Sequence, residues 1–278
     1  MKQRVISAVV AAVIIIPILI IGKIPFALAM GVLAALALHE TIGLKESHKP
    51  YPTLMKVLGF VSLELVVFNR YNGGFLDFGI SNLAICLSAL ALLIPSVFYK
   101  NEEYTTKEAF YLFGSVVVLG AFFNALIVMC NTDIFTSSGT IAGQWKILYL
   151  FLIASMTDTF AMIIGCLIGK HKLIPRVSPK KSIEGSVAGS LVGTAIASIY
   201  YYNVIGDIKN IFLLVGITLL LSILGQIGDL FFSKIKREND IKDFSNIMPG
   251  HGGILDRLDS FTFIMFGYLA IISILNLL

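Results

Sequence analysis

Residues 233–259 carry side chains that can do chemistry on polyanions. The run Pro249-Gly250-His251-Gly252-Gly253 makes a tight, open backbone ahead of a helix start. Such a place can aim several N–H groups at one phosphate. Asp256 and Asp259 are three residues apart, so at the start of a helix they share a face. Paired carboxylates offer the oxygen donors that suit Mg²⁺. Lys236, Arg237, Lys242, His251 and Arg257 surround them with phosphate-binding cations. A basic loop with a glycine turn is, by itself, an ordinary membrane anchor. Anchoring needs lysines but no carboxylates, and here Asp243, Asp256 and Asp259 are interleaved with the bases.

Two more carboxylates lie in apolar surroundings. Asp229 ends the run Gly225-Gln226-Ile227-Gly228-Asp229, with Ser233 one turn later. A carboxylate among leucines and phenylalanines is costly unless it faces a polar cavity. Ser222 and Gln226 extend the same polar stripe, and Asp158, flanked by Thr157 and Thr159, raises the same question. The ordinary alternative is a set of interhelical hydrogen bonds. A second cationic cluster spans 169–185, with Lys170, His171, Lys172, Arg176, Lys180 and Lys181. Ser182 can cap a helix with Glu184 in its first turn. Lys180 and Lys181 would then precede a helix N-terminus, a place suited to polyphosphate, with anionic lipid headgroups as the alternative partner.

The elements that must position these residues are membrane helices. Of 278 residues, 57% are hydrophobic and 14% charged, against about 25% charged in a soluble domain. Most of the surface must therefore face lipid. Runs such as 9–21 and 211–224 are continuous rather than alternating, which excludes a β-barrel. The expected fold is all-α and polytopic, with about nine transmembrane helices near 5–22, 24–40, 54–69, 77–98, 108–130, 146–169, 185–204, 210–232 and 260–277. The first, long enough to span and followed by many others, is expected to be retained rather than cleaved. With the N-terminus cytoplasmic, 16 of the 21 basic residues fall in inside segments and three outside. That bias fits the positive-inside rule. The chain then divides into 1–145, holding helices one to five, and 146–278, a catalytic region with cytosolic loops 170–184 and 233–259. The same bias accounts for the net charge of +4; without a basic–aromatic segment, no nucleic-acid partner is expected. Cys86, Cys130 and Cys166 lie inside apolar runs without CxxC spacing and read as small buried hydrophobes.

The motif Ser233-x-Ile235-Lys236-Arg237, then Lys242-Asp243-x-Ser245, then Pro249-Gly250-His251-Gly252-Gly253-Ile254-x-Asp256-Arg257-Leu258-Asp259 resembles the signature of the phosphatidate cytidylyltransferase (CDP-diacylglycerol synthase) family. The resemblance extends to Gly225-x-x-Gly228-Asp229, Asp158-Thr159, Gly165-x-x-x-Gly169-Lys170 and Ser178-Pro179-Lys180-Lys181-Ser182-x-Glu184-Gly185, so it covers about 150–260. Before that, agreement is mainly in hydropathy, plus Arg4 and Ser7. Phe160-Ala161-Met162, Cys166 and Met248 depart from the family pattern.

This resemblance implies transfer of the CMP unit of CTP to phosphatidate, giving CDP-diacylglycerol and pyrophosphate. The nucleophile, a phosphate oxygen, is already ionised, so the difficulty is uniting two polyanions rather than removing a proton. The site expected on this reading has Asp229, Asp256 and Asp259 as ligands of Mg²⁺, with room for a second cation, and Lys242 and Asp243 completing the catalytic set. Lys180, Lys181, Ser233, His251, Gly252, Gly253, Arg257 and Asp158 are expected to bind substrate. The expected partners are CTP and membrane-held phosphatidate, with a homodimer left open. The expected location is a bacterial-type inner or plasma membrane, with the site facing the cytoplasm. Two rivals remain: a CTP-dependent lipid or polyprenol kinase, whose hydroxyl acceptor needs a base, and a secondary transporter coupling through Asp158 and Asp229.

Overall fold

A computed structural model describes residues 16–46, 50–69, 82–99, 103–136, 139–206, 210–248 and 252–277. The chain is organised as two units. One comprises Met1–Thr132 with Asp243–Leu255, the other Asp133–Lys242 with Asp256–Leu278.

The first unit contains α1 (Lys23–Glu46), α2 (Thr53–Val67), α3 (Asn82–Leu93), α4 (Pro95–Phe98) and α5 (Thr106–Asn131). Helices α1, α2 and α3 pack on α5, which buries Val116, Phe122, Phe123 and Ile127. A capping box starts α5: Thr105 N–H donates to the Glu108 carboxylate at 2.9 Å. Asn124, deep in α5, donates to the carbonyls of Val67 and Asn69 at 2.8 and 2.7 Å. It thereby satisfies two of the acceptors left at the end of α2. Pro95, which has no N–H to donate, marks the break between α3 and α4.

The second unit contains the hairpin β1 (Ile134–Thr136) and β2 (Gly139–Ile141), α6 (Gln144–Ile168), the hairpin β3 (Lys172–Ile174) and β4 (Ser178–Ser182), α7 (Ile183–Tyr200) with a π-turn over Tyr201–Ile205, α8 (Ile211–Glu238) and α9 (Leu255–Leu277). Leu255 of α9 is counted with the first unit. Ser182 caps α7 by accepting the Gly185 N–H at 3.2 Å, and Asn210 caps α8 by accepting those of Phe212 and Leu213. Helices α6 and α7 approach very closely. A Cβ on Gly189 would lie 2.6 Å from the Thr157 carbonyl oxygen and 2.8 Å from the Ala161 nitrogen. Both are backbone atoms that cannot step aside. Gly189→Val is therefore expected to destabilise the protein by about 1–3 kcal/mol through overpacking, read as a lower thermal midpoint in detergent.

The chain is an all-α polytopic membrane protein. Among the described residues, six helices are long and apolar enough to cross a membrane: α1, α5, α6, α7 with its π-turn, α8 and α9. Phe98, Leu167 and Phe212 are 75%, 77% and 83% exposed, as side chains bathed in lipid would be. These six correspond to six of the nine expected spans; the count of nine is not confirmed by the described residues. The element expected over 54–69 is the 15-residue α2, and that over 77–98 is divided at Pro95. Of the first expected span, only 16–22 lies within the described residues, and 16–21 is helical.

Several boundaries move. The span expected over 24–40 continues to Glu46, and 233–238 is the end of α8 rather than loop. That extension is charged (Lys234, Lys236, Arg237, Glu238), so hydropathy ends before the helix does. The expected loop 170–184 is mostly the β3–β4 hairpin, closed against α7 by Ile183 N–H donating to the His171 carbonyl at 2.9 Å. All three cysteines are free, but Cys86 and Cys166 are exposed; only Cys130 is buried as expected.

Candidate active site

In the second unit, one stripe of α8 carries Thr218, Ser222, Gln226, Asp229 and Ser233, at three- and four-residue steps. Its buried part is a polar ladder. Tyr149 Oη and Thr218 Oγ1 are hydrogen-bonded at 2.7 Å, and Thr157 Oγ1 and Ser222 Oγ at 2.8 Å. Ser222 donates to Ser190 at 3.2 Å. The Gln226 amide donates to Ser190 Oγ at 2.6 Å and to the Ser186 carbonyl at 3.1 Å. These bonds tie α6, α7 and α8 in one register. Ser222 and Gln226 thus take the interhelical role rather than a chemical one.

Beyond the ladder the stripe becomes ionic. Asp229 pairs with Lys181 of β4 and accepts the Ser233 hydroxyl at 3.2 Å. Asp158 of α6 accepts the Ser260 hydroxyl at 3.0 Å and lies close enough to interact electrostatically with Asp229 and Lys181. Asp259 of α9 feels the charges of Asp229 and Asp158. The close approach of α9 depends on Gly228. A Cβ there would lie 2.7 Å from the Asp259 carbonyl oxygen and 2.9 Å from the Phe263 side chain. The two residues are linked by packing: the glycine admits α9, and Asp229 comes within electrostatic reach of Asp259. Further along, the ammonium of Lys236 donates to Asp256 at 2.6 Å, with the two side chains 11% and 3% exposed.

Lys181 thus serves Asp229 and Asp158, while Lys236 pairs with Asp256 and also acts electrostatically on Asp259. Carboxylate oxygens such as those of Asp158, Asp229 and Asp259 are the hard donors that Mg²⁺ takes in general. Among the described residues, no three carboxylate, histidine or cysteine side chains converge as ligands of a single ion, and the Asp256 carboxylate is engaged by Lys236.

The remaining expected residues are distributed as follows. Lys180 is exposed while its neighbour Lys181 turns inward to Asp229, because successive strand residues point to opposite faces. The two lysines therefore do not act as a pair on one face. Lys242, Asp243 and Arg257 are exposed. His251 lies outside the described residues. Gly252 adopts φ +85°, which favours glycine. Its N–H donates to the Met248 carbonyl at 3.1 Å and its carbonyl accepts from Met248 at 3.0 Å. That amide is used in a bridge to Met248 rather than held open for phosphate. Asp243, Gly252 and Gly253 belong to the first unit, whereas Asp158, Lys181, Asp229, Asp256 and Asp259 belong to the second.

Sequence reasoning missed Glu40. In the first unit this α1 residue is 2% exposed and accepts from Ser245 Oγ at 2.6 Å, Ile254 N–H at 2.7 Å and Leu255 N–H at 2.9 Å. The signal was available, since Glu40 is an acid at the end of a long apolar run. Lys236 stands among the bases of the motif, but its pairing with Asp256 is not legible in the sequence, nor is that of Ser260 with Asp158.

The fold and the site define a polytopic membrane protein in which carboxylates and lysines cluster between its helices. The chain belongs to the cytidylyltransferase family, whose model matches residues 2–275. It is 34% identical over 265 residues to a phosphatidate cytidylyltransferase of Bacillus subtilis (strain 168), covering 95% of each chain. A phosphatidate cytidylyltransferase of Staphylococcus aureus (strain COL) is 33% identical over 266 residues, covering 95% of this chain and 96% of its own. One from Staphylococcus haemolyticus is 34% identical over 268 residues. The similarity thus includes the N-terminal half, where the motifs alone were sparse.

Proposed function

We propose that this protein transfers the CMP unit of CTP to phosphatidate, forming CDP-diacylglycerol and pyrophosphate in phospholipid biosynthesis. The observation that carries the reading is the group Asp158, Asp229 and Asp259 with Lys181 and Lys236 beside it, in a chain similar along its length to phosphatidate cytidylyltransferases. An ionised phosphate oxygen of phosphatidate attacks the α-phosphorus of CTP, and the bond from that phosphorus to the β-phosphate oxygen breaks. No side chain has to remove a proton. The obstacle is repulsion between the two substrates, which fixed positive charge relieves.

Asp229 and Asp259 would hold Mg²⁺, with Asp158 beside them, and the ion would neutralise triphosphate charge when bound. Lys181, paired with Asp229, would exchange its carboxylate partner for a substrate phosphate. Lys236 holds the Asp256 carboxylate in one orientation at the start of α9. The positive-inside bias favours a site that faces the cytoplasm from a bacterial inner or plasma membrane.

The test is purified protein with CTP, phosphatidate and Mg²⁺, scored for pyrophosphate and a CDP-lipid. Both products should appear together and in equal amounts. Phosphorylation of a lipid alcohol, with no product from phosphatidate, would replace this reading with the kinase.

A further inference from the structure

We propose that Glu40 is a positioning residue for the transfer reaction: its buried carboxylate fastens the backbone at 254–255 and so fixes where the chain enters α9 at Asp256. The proposal rests on the reading of Asp256 as a site residue.

A carboxylate 2% exposed in an apolar helix is costly to bury unless donors surround it. Glu40 has three, all from one short segment more than 200 residues away in sequence. Ile254 and Leu255 lie at the start of α9, where backbone N–H groups have no partners within the helix. Such groups are usually capped by a side chain just upstream. Here the cap comes from α1. A full negative charge at that end is also favoured by the helix dipole, and bonds to a charged acceptor are stronger than neutral ones.

The remaining details concern access. A Cβ on Gly253 would lie 2.5 Å and 2.6 Å from the two Glu40 oxygens, so only glycine lets the carboxylate reach the two amides. Ser245 closes the arrangement: its hydroxyl donates to Glu40 and accepts the Ile247 N–H at 3.3 Å. Two oxygens serving three donors require an acceptor-only group. Glutamine has the right shape but would turn an NH₂ toward at least one donor. Leu255 is bonded directly to Asp256, so the segment that Glu40 holds delivers the first turn of α9.

Glu40→Gln and Gly253→Ala approach the same contact from its two sides. Each is expected to lower kcat by about a hundredfold, the scale of a reacting group displaced by an ångström, with KM for CTP little changed. The double variant should be no worse than either single one. Hydrogen exchange on the full-length protein in detergent should quicken in peptides covering 252–258 and stay unchanged in α5. A wild-type kcat despite faster exchange at 252–258 would overturn the proposal. So would additive losses, or faster exchange throughout α5, which would mark a general stabiliser. If Glu40→Gln fails to fold, Gly253→Ala carries the test alone by the same two readouts. Failure of the underlying site reading would look different: Asp256→Asn would stay active while exchange at 252–258 still responded to Glu40→Gln.

Discussion

Asp256→Asn should lower CMP transfer by about a thousandfold, the upper range for loss of one preorganised electrostatic group, and adding Lys236→Met should restore stability without restoring activity. Asp256 and Lys236 are both buried and joined at 2.6 Å. Removing the carboxylate alone strands an ammonium in a low-dielectric place, at a cost of about 3–5 kcal/mol. The single variant therefore mixes two effects, lost chemistry and a strained fold. Removing both charges together is often neutral for stability. Thermal midpoint and pyrophosphate release, measured on the same preparations, separate them. Recovery of turnover in Asp256→Asn/Lys236→Met would reduce the pair to a structural pin.

For Asp229→Asn the sign of the stability change should be the opposite. Asp229 stands among Asp158, Asp259 and Lys181, so its removal relieves repulsion, and Lys181 still has Asp158 nearby. Stability is expected to hold or rise while turnover falls about a hundred- to a thousandfold, at every Mg²⁺ concentration in a titration. Wild-type turnover at any point of that titration would remove Asp229 from the catalytic group. Two carboxylate variants with similar kinetic losses and opposite shifts in thermal midpoint would be difficult to explain by misfolding.

How much of this was legible in advance depends on the kind of interaction. Hydropathy located α5 to α9 within a few residues, because a lipid-spanning helix must be apolar along its length. It failed at the end of α8, where Lys234 and Glu238 pair at 3.6 Å across one turn and a strongly charged helix continues past the apolar run. Spacing along one helix was equally informative: the stripe from Ser222 to Asp229 and the Asp256–Asp259 step were visible as faces. Pairings between distant elements were not. Glu40 with Leu255, Lys236 with Asp256 and Asp158 with Ser260 each depend on which helices are neighbours, and no local pattern encodes that. The β3–β4 hairpin was read as loop because its strands are three and five residues long and rich in lysine. The consequence is specific: adjacency in sequence does not reveal that strand geometry sends Lys180 and Lys181 to opposite faces.

That alternation makes the hairpin a device read by parity. Lys181 reaches Asp229 because β4 is paired in one frame, Lys172 opposite Ser182 and Ile174 opposite Ser178, with an irregularity between the two. A slip of one residue would exchange the faces, handing Asp229 the side of Lys180 and turning Lys181 outward. The turn at 175–177 is thus indifferent to much of its composition but not to its length. Losing or gaining one residue there would rewire the charge at the site without altering any residue within it.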